Sequence, residues 1–216
     1  MGFNRKHLLG FLAVLLGVGV AAGEAIPARI TVLVNDSAGV PAEVLRKAEQ
    51  EAARIFRPAG VEVSWMNCSE EAVIEGGACR EVPGANRFVL HIVPAGKTST
   101  DFVFGVAFLG EDGRGKYCNV FFDRIRDGHR DLGTNTAQLL GTVAAHEVGH
   151  LLLGSHSHSR LGIMEPVWRE EAMRQTGMET FLFTAEQGVV MRERIGREEM
   201  VLAVWGNETQ WSGDSR

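Results

Sequence analysis

The sequence predicts an α+β fold, a mixed and twisted sheet packed against two main helices with a further helix towards the C-terminus. Three observations carry this reading. Short runs rich in β-branched residues recur through the first half of the 216-residue chain. Two longer segments repeat apolar residues at spacings of three and four. The order strand, helix, strands, helix, helix is not the strict alternation of a parallel α/β protein. The length suits one domain with a core of its own, and 45% hydrophobic and 23% charged residues are ordinary for a globular protein.

ARITVLVND (28–36) alternates, with Ile30, Thr31, Val32 and Val34 β-branched, and reads as the first strand. Pro41 then opens AEVLRKAEQEAARIF, whose Leu45, Ala48, Ala52 and Ile55 line one face, and Pro58 and Gly60 stop it. VEVSWMN (61–67) and RFVLHIV (87–93) are the next strands, followed by FVFGVAFLG (102–110) and CNVFFDRI (118–125). Asp112-Gly113 and Asp127-Gly128 mark turns, neither with the carboxylate spacing of a calcium loop. A long helix covers about Thr136 to Leu153. TAEQGVVMRERIG (184–196) is the last, with Thr184 as N-cap and Gln187 three residues on.

The N-terminus stands apart. Arg5, Lys6 and His7 precede the uncharged run LLGFLAVLLGVGVAA, and small residues follow at Ala21, Ala22, Gly23 and Ala25. That is the pattern of a cleaved secretory signal peptide, and the run is short for a membrane span. The expected organisation is a signal peptide at 1–25, a folded domain at 26–200 and a C-terminal tail at 201–216. Export to the periplasm or the extracellular medium follows, with no stable membrane association after cleavage and a monomeric state. Removing Arg5, Lys6 and Glu24 takes the formal charge from −5 to −6. A mildly acidic chain without a basic stripe excludes nucleic acid as a partner.

Of three cysteines, Cys68 and Cys79 bracket a loop-like segment and are the expected disulfide in an exported protein. Closing so short a loop stabilises by about 2–3 kcal/mol. Cys118 sits in an apolar run and reads as core.

The chemistry concentrates in HEVGHLLLGSHSH (146–158), which holds four of the seven histidines. His146 and His150, four apart, lie one turn apart on one helix face, close enough to bind a single ion. Glu147 points aside from that axis, where it can hold and deprotonate a water bound to a zinc ion. Gly154 provides the positive φ that lets the helix end and the chain return, so that a third side chain meets the ion and a fourth position stays open. That third ligand is either His158 or His156. Turn geometry follows the glycine, and four residues past Gly154 leaves slack to aim an imidazole, which favours His158. His156, two residues past the glycine, requires a tighter return.

HEVGHLLLGSHSHSRLGIM resembles the zinc signature of the metzincin metallopeptidases: HExxH, a Gly turn, a further His and a Met-turn. The resemblance implies His146 and His150 as ligands, Glu147 as general base and Met164 as the Met-turn methionine. It makes 26–200 a zinc metallopeptidase-like domain, with an active-site helix, a backing helix, a Met-turn and a C-terminal helix. The common pattern HExxHxxGxxH is not matched, because Leu153 stands where its glycine falls. The stretch is similar instead to small exported bacterial metzincin-like proteins written HExGHLLLGxxxHSxxGIM, which place the ligand on His158. Trp168 reads as a core residue beneath that turn more readily than as a pocket wall.

The implied function is a secreted zinc-dependent endopeptidase acting on peptides or proteins through a Glu-activated, zinc-bound water. The competing reading is a non-catalytic zinc-binding structural protein, its site closed by both His156 and His158. A third takes Glu165, Glu170 or Glu171 as the last ligand. Glu147 favours the enzyme, since a purely structural site has no use for it.

Overall fold

The computed structural model describes residues 27–68, 79, 84, 86–94, 103–131, 134–156, 158–166, 168 and 180–210, with backbone alone at 130, 131, 199 and 201–210. The expected signal peptide at 1–25 lies outside the described residues. Strand β1 (Ala28–Asp36) leads through helix α1 (Ala42–Phe56) and a 3-10 turn at Arg57–Ala59 to β2 (Val61–Cys68) and β3 (Arg87–Val93). Then come β4 (Gly105–Phe108), β5 (Tyr117–Phe121), α2 (Phe122–Asp131), α3 (Thr136–Leu153) and α4 (Ala185–Gln210).

The strands form one mixed sheet in the order β2-β1-β3-β5-β4. All neighbours are parallel except β4, which runs antiparallel to β5 along the edge. Period-two alternation assigns the faces. Ile30, Val32, Val34, Phe88, Leu90, Ile92, Cys118 and Val120 turn to the helices and are buried in the main core. Leu33 and Val89 turn to the other face, where Cys68, Met66 and Cys79 cover them. The Cys68–Cys79 disulfide is present, and Cys118 is a buried free thiol.

Helix α3 runs through the middle of this arrangement, and every residue from Leu139 to Leu152 is buried. No polar stripe is left, because sheet, α1, α2 and α4 surround it. Asn135 caps its start by accepting the Gln138 N–H at 2.8 Å. Gly141 permits the close crossing with α1: a Cβ there would overlap the Ala48 carbonyl oxygen. Thr184 and Gln187 form the reciprocal capping box expected at the start of α4.

Three boundaries differ from the sequence reading. CNVFFDRI is two elements, since the strand ends at Phe121 and α2 begins at Phe122. Phe122 and Ile125 enter the core at helical spacing, within what looks like one apolar run. Asp127-Gly128 is therefore helical, and Gly128 answers to the Phe104 ring, 2.8 Å from where its Cβ would be. The strand expected over 102–110 shortens to β4. Finally, α4 continues to Gln210, through Gly196, whose surroundings are open, so the expected tail is helical over 201–210. Among the described residues no helix is long and apolar enough to cross a membrane.

Candidate metal centre

Helix α3 carries His146, Glu147 and His150 and ends at Gly154, where φ is +66° and the N–H bonds the His150 carbonyl at 2.9 Å. The chain then doubles back over the C-terminal end of α3 and brings His158 to the pair. His146, His150 and His158 each offer a ring nitrogen within 4.8 Å of the others. The His146 and His150 Nε2 atoms are 3.1 Å apart.

The tautomers follow from the opposite side of each ring. His146 Nδ1 lies 2.7 Å from the Ile163 carbonyl oxygen, and His150 Nδ1 lies 2.8 Å from that of Ser155. A carbonyl only accepts, so both Nδ1 atoms carry the proton and both Nε2 atoms present lone pairs. Two lone pairs facing each other at that distance repel unless a cation lies between them. Two nitrogens bound to zinc at ~2.0–2.1 Å with a tetrahedral angle are roughly 3.3 Å apart. The donor set therefore fits a metal ion, and carbonyl-anchored histidines are the usual support of such ligands.

Electrostatics agree. Burial lowers the His146 pKa to about 4 against the opposing Ile163 hydrogen bond, and the neighbouring His150 and His158 lower it further. Burial also leads the lowering at His150 and His158. All three imidazoles are neutral at pH 7, the form that ligates.

Glu147 is buried beside the edge strand. Burial pushes its carboxyl up to about 8, opposed by a hydrogen bond from the Ala107 backbone. A Cβ at Gly105 would stand 2.7 Å from both Cγ and Oε1 of Glu147. Below the helix, Met164 is fully buried, and its Sδ would be 3.0 Å from a Cβ at Gly149. Gly149, inside the HEVGH motif, thus lets the turn at Gly162–Met164 pack against α3 between the two histidines. That turn is itself braced: Gly162 has φ +81°, the Ile163 N–H bonds Leu182 O at 3.0 Å, and the Ser159 N–H bonds Met164 O at 2.8 Å. Trp168 donates its indole N–H to the same Ile163 carbonyl at 3.2 Å and meets the His146 ring edge-on, with centroids 5.5 Å apart.

Of the residues singled out from sequence, His146, Glu147, His150, His158 and Met164 thus gather in one place. His156 is exposed, its ring centroid 5.9 Å from that of His150, and it is outside the three-histidine group. Glu165 is also outside that group, while Glu170 and Glu171 lie outside the described residues. Sequence reasoning missed the supports: Ile163 O, Ser155 O, Ala107 N–H and the missing side chain of Gly105, whose place Glu147 takes. Three of these are backbone groups, which carry no residue signature. The fourth was a lone glycine in an apolar strand.

No protein-family model and no curated protein matches the sequence. Among solved structures, the fold is similar to that of a zinc-dependent peptidase from Methanocorpusculum labreanum strain Z. The TM-score is 0.51 at 15% identity, over 75% of this chain and 99% of that one. It is similar also to metalloproteinase-II from Bacteroides fragilis, with a TM-score of 0.50 at 14% identity, over 78% of this chain and 53% of that one. The chain shares their fold.

Proposed function

We propose that this chain is an exported, metzincin-like zinc metallopeptidase that hydrolyses peptide bonds in peptide or protein substrates. The observation that carries the reading is the facing Nε2 pair of His146 and His150, each proton-committed on its far side, with His158 alongside. The fold shared with two peptidases supports it.

His146, His150 and His158 would hold a zinc ion, a set of three protein ligands of the kind that serves catalysis rather than structure alone. Bound zinc supplies a Lewis acid that acidifies water and polarises a carbonyl. Glu147 accepts the proton of the attacking water and passes it to the leaving amine. Its buried carboxyl is held against β4 by the Ala107 N–H, so its direction is set before substrate arrives. The Glu147 carboxylate would be favoured in its ionised form beside a divalent cation held by the adjacent histidines, against the upward push of burial. Met164 supports the ligand pair from beneath. The Cys68–Cys79 disulfide suits an oxidising compartment, which is consistent with export.

Purified protein should contain about one zinc and cleave casein. Glu147→Ala should retain zinc and lose cleavage by at least about 10²-fold; undiminished cleavage would remove Glu147 from the mechanism. His158→Ala should lose zinc far more readily than His156→Ala. The reverse ranking would transfer the third ligand to His156, and equal small losses would exclude both.

A further inference from the structure

The proposed peptidase reading accounts for α3 and the return loop but leaves unexplained why α4 reaches 26 residues along the molecule. Three side chains on one stretch of α4 make long-range polar contacts. Arg192 Nη1 donates to Ala59 O at 2.5 Å, Lys116 Nζ pairs with Glu198 at 2.7 Å, and Arg194 Nη2 donates to Gly113 O at 2.9 Å. Arg192 also packs on a glycine turn, at Gly60, whereas Arg194 packs on the turn that ends the histidine-bearing helix. A Cβ placed on Gly154 would overlap its guanidinium, so this group fills the space that any other residue at 154 would occupy. Gly113, which accepts the hydrogen bond, is itself packed on the same turn: its Cβ would lie 2.6 Å from Gly154 O.

Gly154, Gly113 and the Arg194 guanidinium therefore form one three-way contact, made by the end of α3, the β4–β5 loop and α4. Immediately after it, Ser155 O receives the His150 Nδ1 proton, and three residues further on is His158. The position of the Gly154 turn sets both the carbonyl that orients one histidine and the path that delivers another. The guanidinium suits this place: its atoms occupy the space that the missing Gly154 side chain leaves, while Nη2 donates to a carbonyl.

We infer that Arg194 is a positioning residue for the metal centre, holding the Gly154 turn in the geometry that aims His150 and His158. The inference rests on the zinc-site reading. It predicts that loss of the guanidinium weakens metal binding although Arg194 touches no ligand ring. The size is that of other groups supporting ligands from behind, about tenfold.

The test measures Zn²⁺ affinity by chelator competition, and the visible absorption of the Co²⁺-loaded protein, for the full chain without its first 25 residues. Arg194→Met keeps the apolar stem and removes the donor. Lys116→Met removes another clip between α4 and the same β4–β5 loop, away from Gly154. Arg194→Met should bind Zn²⁺ about tenfold more weakly and alter the Co²⁺ spectrum. Lys116→Met should stay within about twofold and keep the spectrum even if its Tm falls as far. Equal affinities for wild type and Arg194→Met, or equal losses in the two variants, would overturn the inference. If Arg194→Met does not fold, Arg194→Lys carries the comparison. A lysine cannot both cover Gly154 and reach Gly113 O with a planar group, so an altered Co²⁺ spectrum supports the inference and an unchanged one overturns it. A wild-type protein that binds neither ion would refute the zinc-site reading itself. A wild type that binds, beside a variant that binds equally well, refutes only the role of Arg194.

Discussion

Gly105→Ala isolates the proposed base from the metal ligands. Gly105 is buried in edge strand β4, at a backbone conformation that alanine adopts, so the cost of the substitution lies in what the new Cβ meets. The difficulty is local. The new Cβ would be 2.7 Å from both Cγ and Oε1 of Glu147 and 2.9 Å from Asn119 O. The first two contacts are short of ordinary van der Waals separation by about 0.7 Å in a close-packed interior. The Asn119 carbonyl belongs to β5 and cannot retreat without breaking the sheet, so the methyl group moves the Glu147 side chain instead. Misplacing a reacting group by about 1 Å costs on the order of 10²-fold in rate. Casein cleavage by Gly105→Ala should therefore fall by about 30- to 100-fold, while zinc content stays that of the wild type because no histidine is touched. Both quantities are read on one preparation, with Tm as the check on folding. Wild-type activity in a folded Gly105→Ala protein would refute the placement of Glu147 against β4. A parallel loss of zinc would show that the edge strand positions the ligands as well.

Two further outcomes follow from the same geometry. In chelator-treated protein, His146 has a folded pKa of about 4 against an ordinary value of 6.5, so its contribution is full above pH 6.5 and is lost as pH falls towards 4, by up to ~3 kcal/mol. Glu147 has the opposite sign: raised from 4.5 to about 8, its contribution is present below pH 4.5 and is lost as pH rises through 8. The two slopes oppose between pH 4.5 and 6.5, and Glu147 alone of the two acts from 6.5 to 8. Tm without metal should decline over that upper range, by the equivalent of roughly 2 kcal/mol, and Glu147→Gln should flatten the decline. Parallel curves for the two proteins would contradict the assigned burial of the carboxyl. Separately, Gly141→Ala forces α1 and α3 apart at Ala48, a crossing made by backbone that cannot yield. A loss of about 2 kcal/mol, roughly 6 °C in Tm by calorimetry, is expected despite alanine's better helix propensity; an unchanged Tm would refute the tightness of that crossing.

Residues 146–154 were legible because their logic is local. Two histidines four apart share a helix face by helical geometry alone, and Gly154 ends that helix at φ +66° for a reason internal to the turn. The elements β1, α1 and α3 were legible for the same reason, since alternation, a proline start and helical spacing act within a few residues. CNVFFDRI was not, because one apolar run serves first as a strand and then, from Phe122, as a helix. Local composition is the same for both, and only the packing of Phe122 and Ile125 against the core separates them.

By itself, then, the sequence determined the α+β class, the histidine pair, the adjacent carboxyl and the turn that follows. The tertiary structure decided what meets them. It brought His158 rather than His156 into the group around the Nε2 pair, set Ile163 O and Ser155 O behind the rings, and laid β4 against Glu147 and Arg194 against Gly154. These are contacts between distant segments, and most are made by backbone atoms or by the space a glycine leaves. Every residue type carries the same carbonyl and N–H, so where they converge is set by packing across the whole domain.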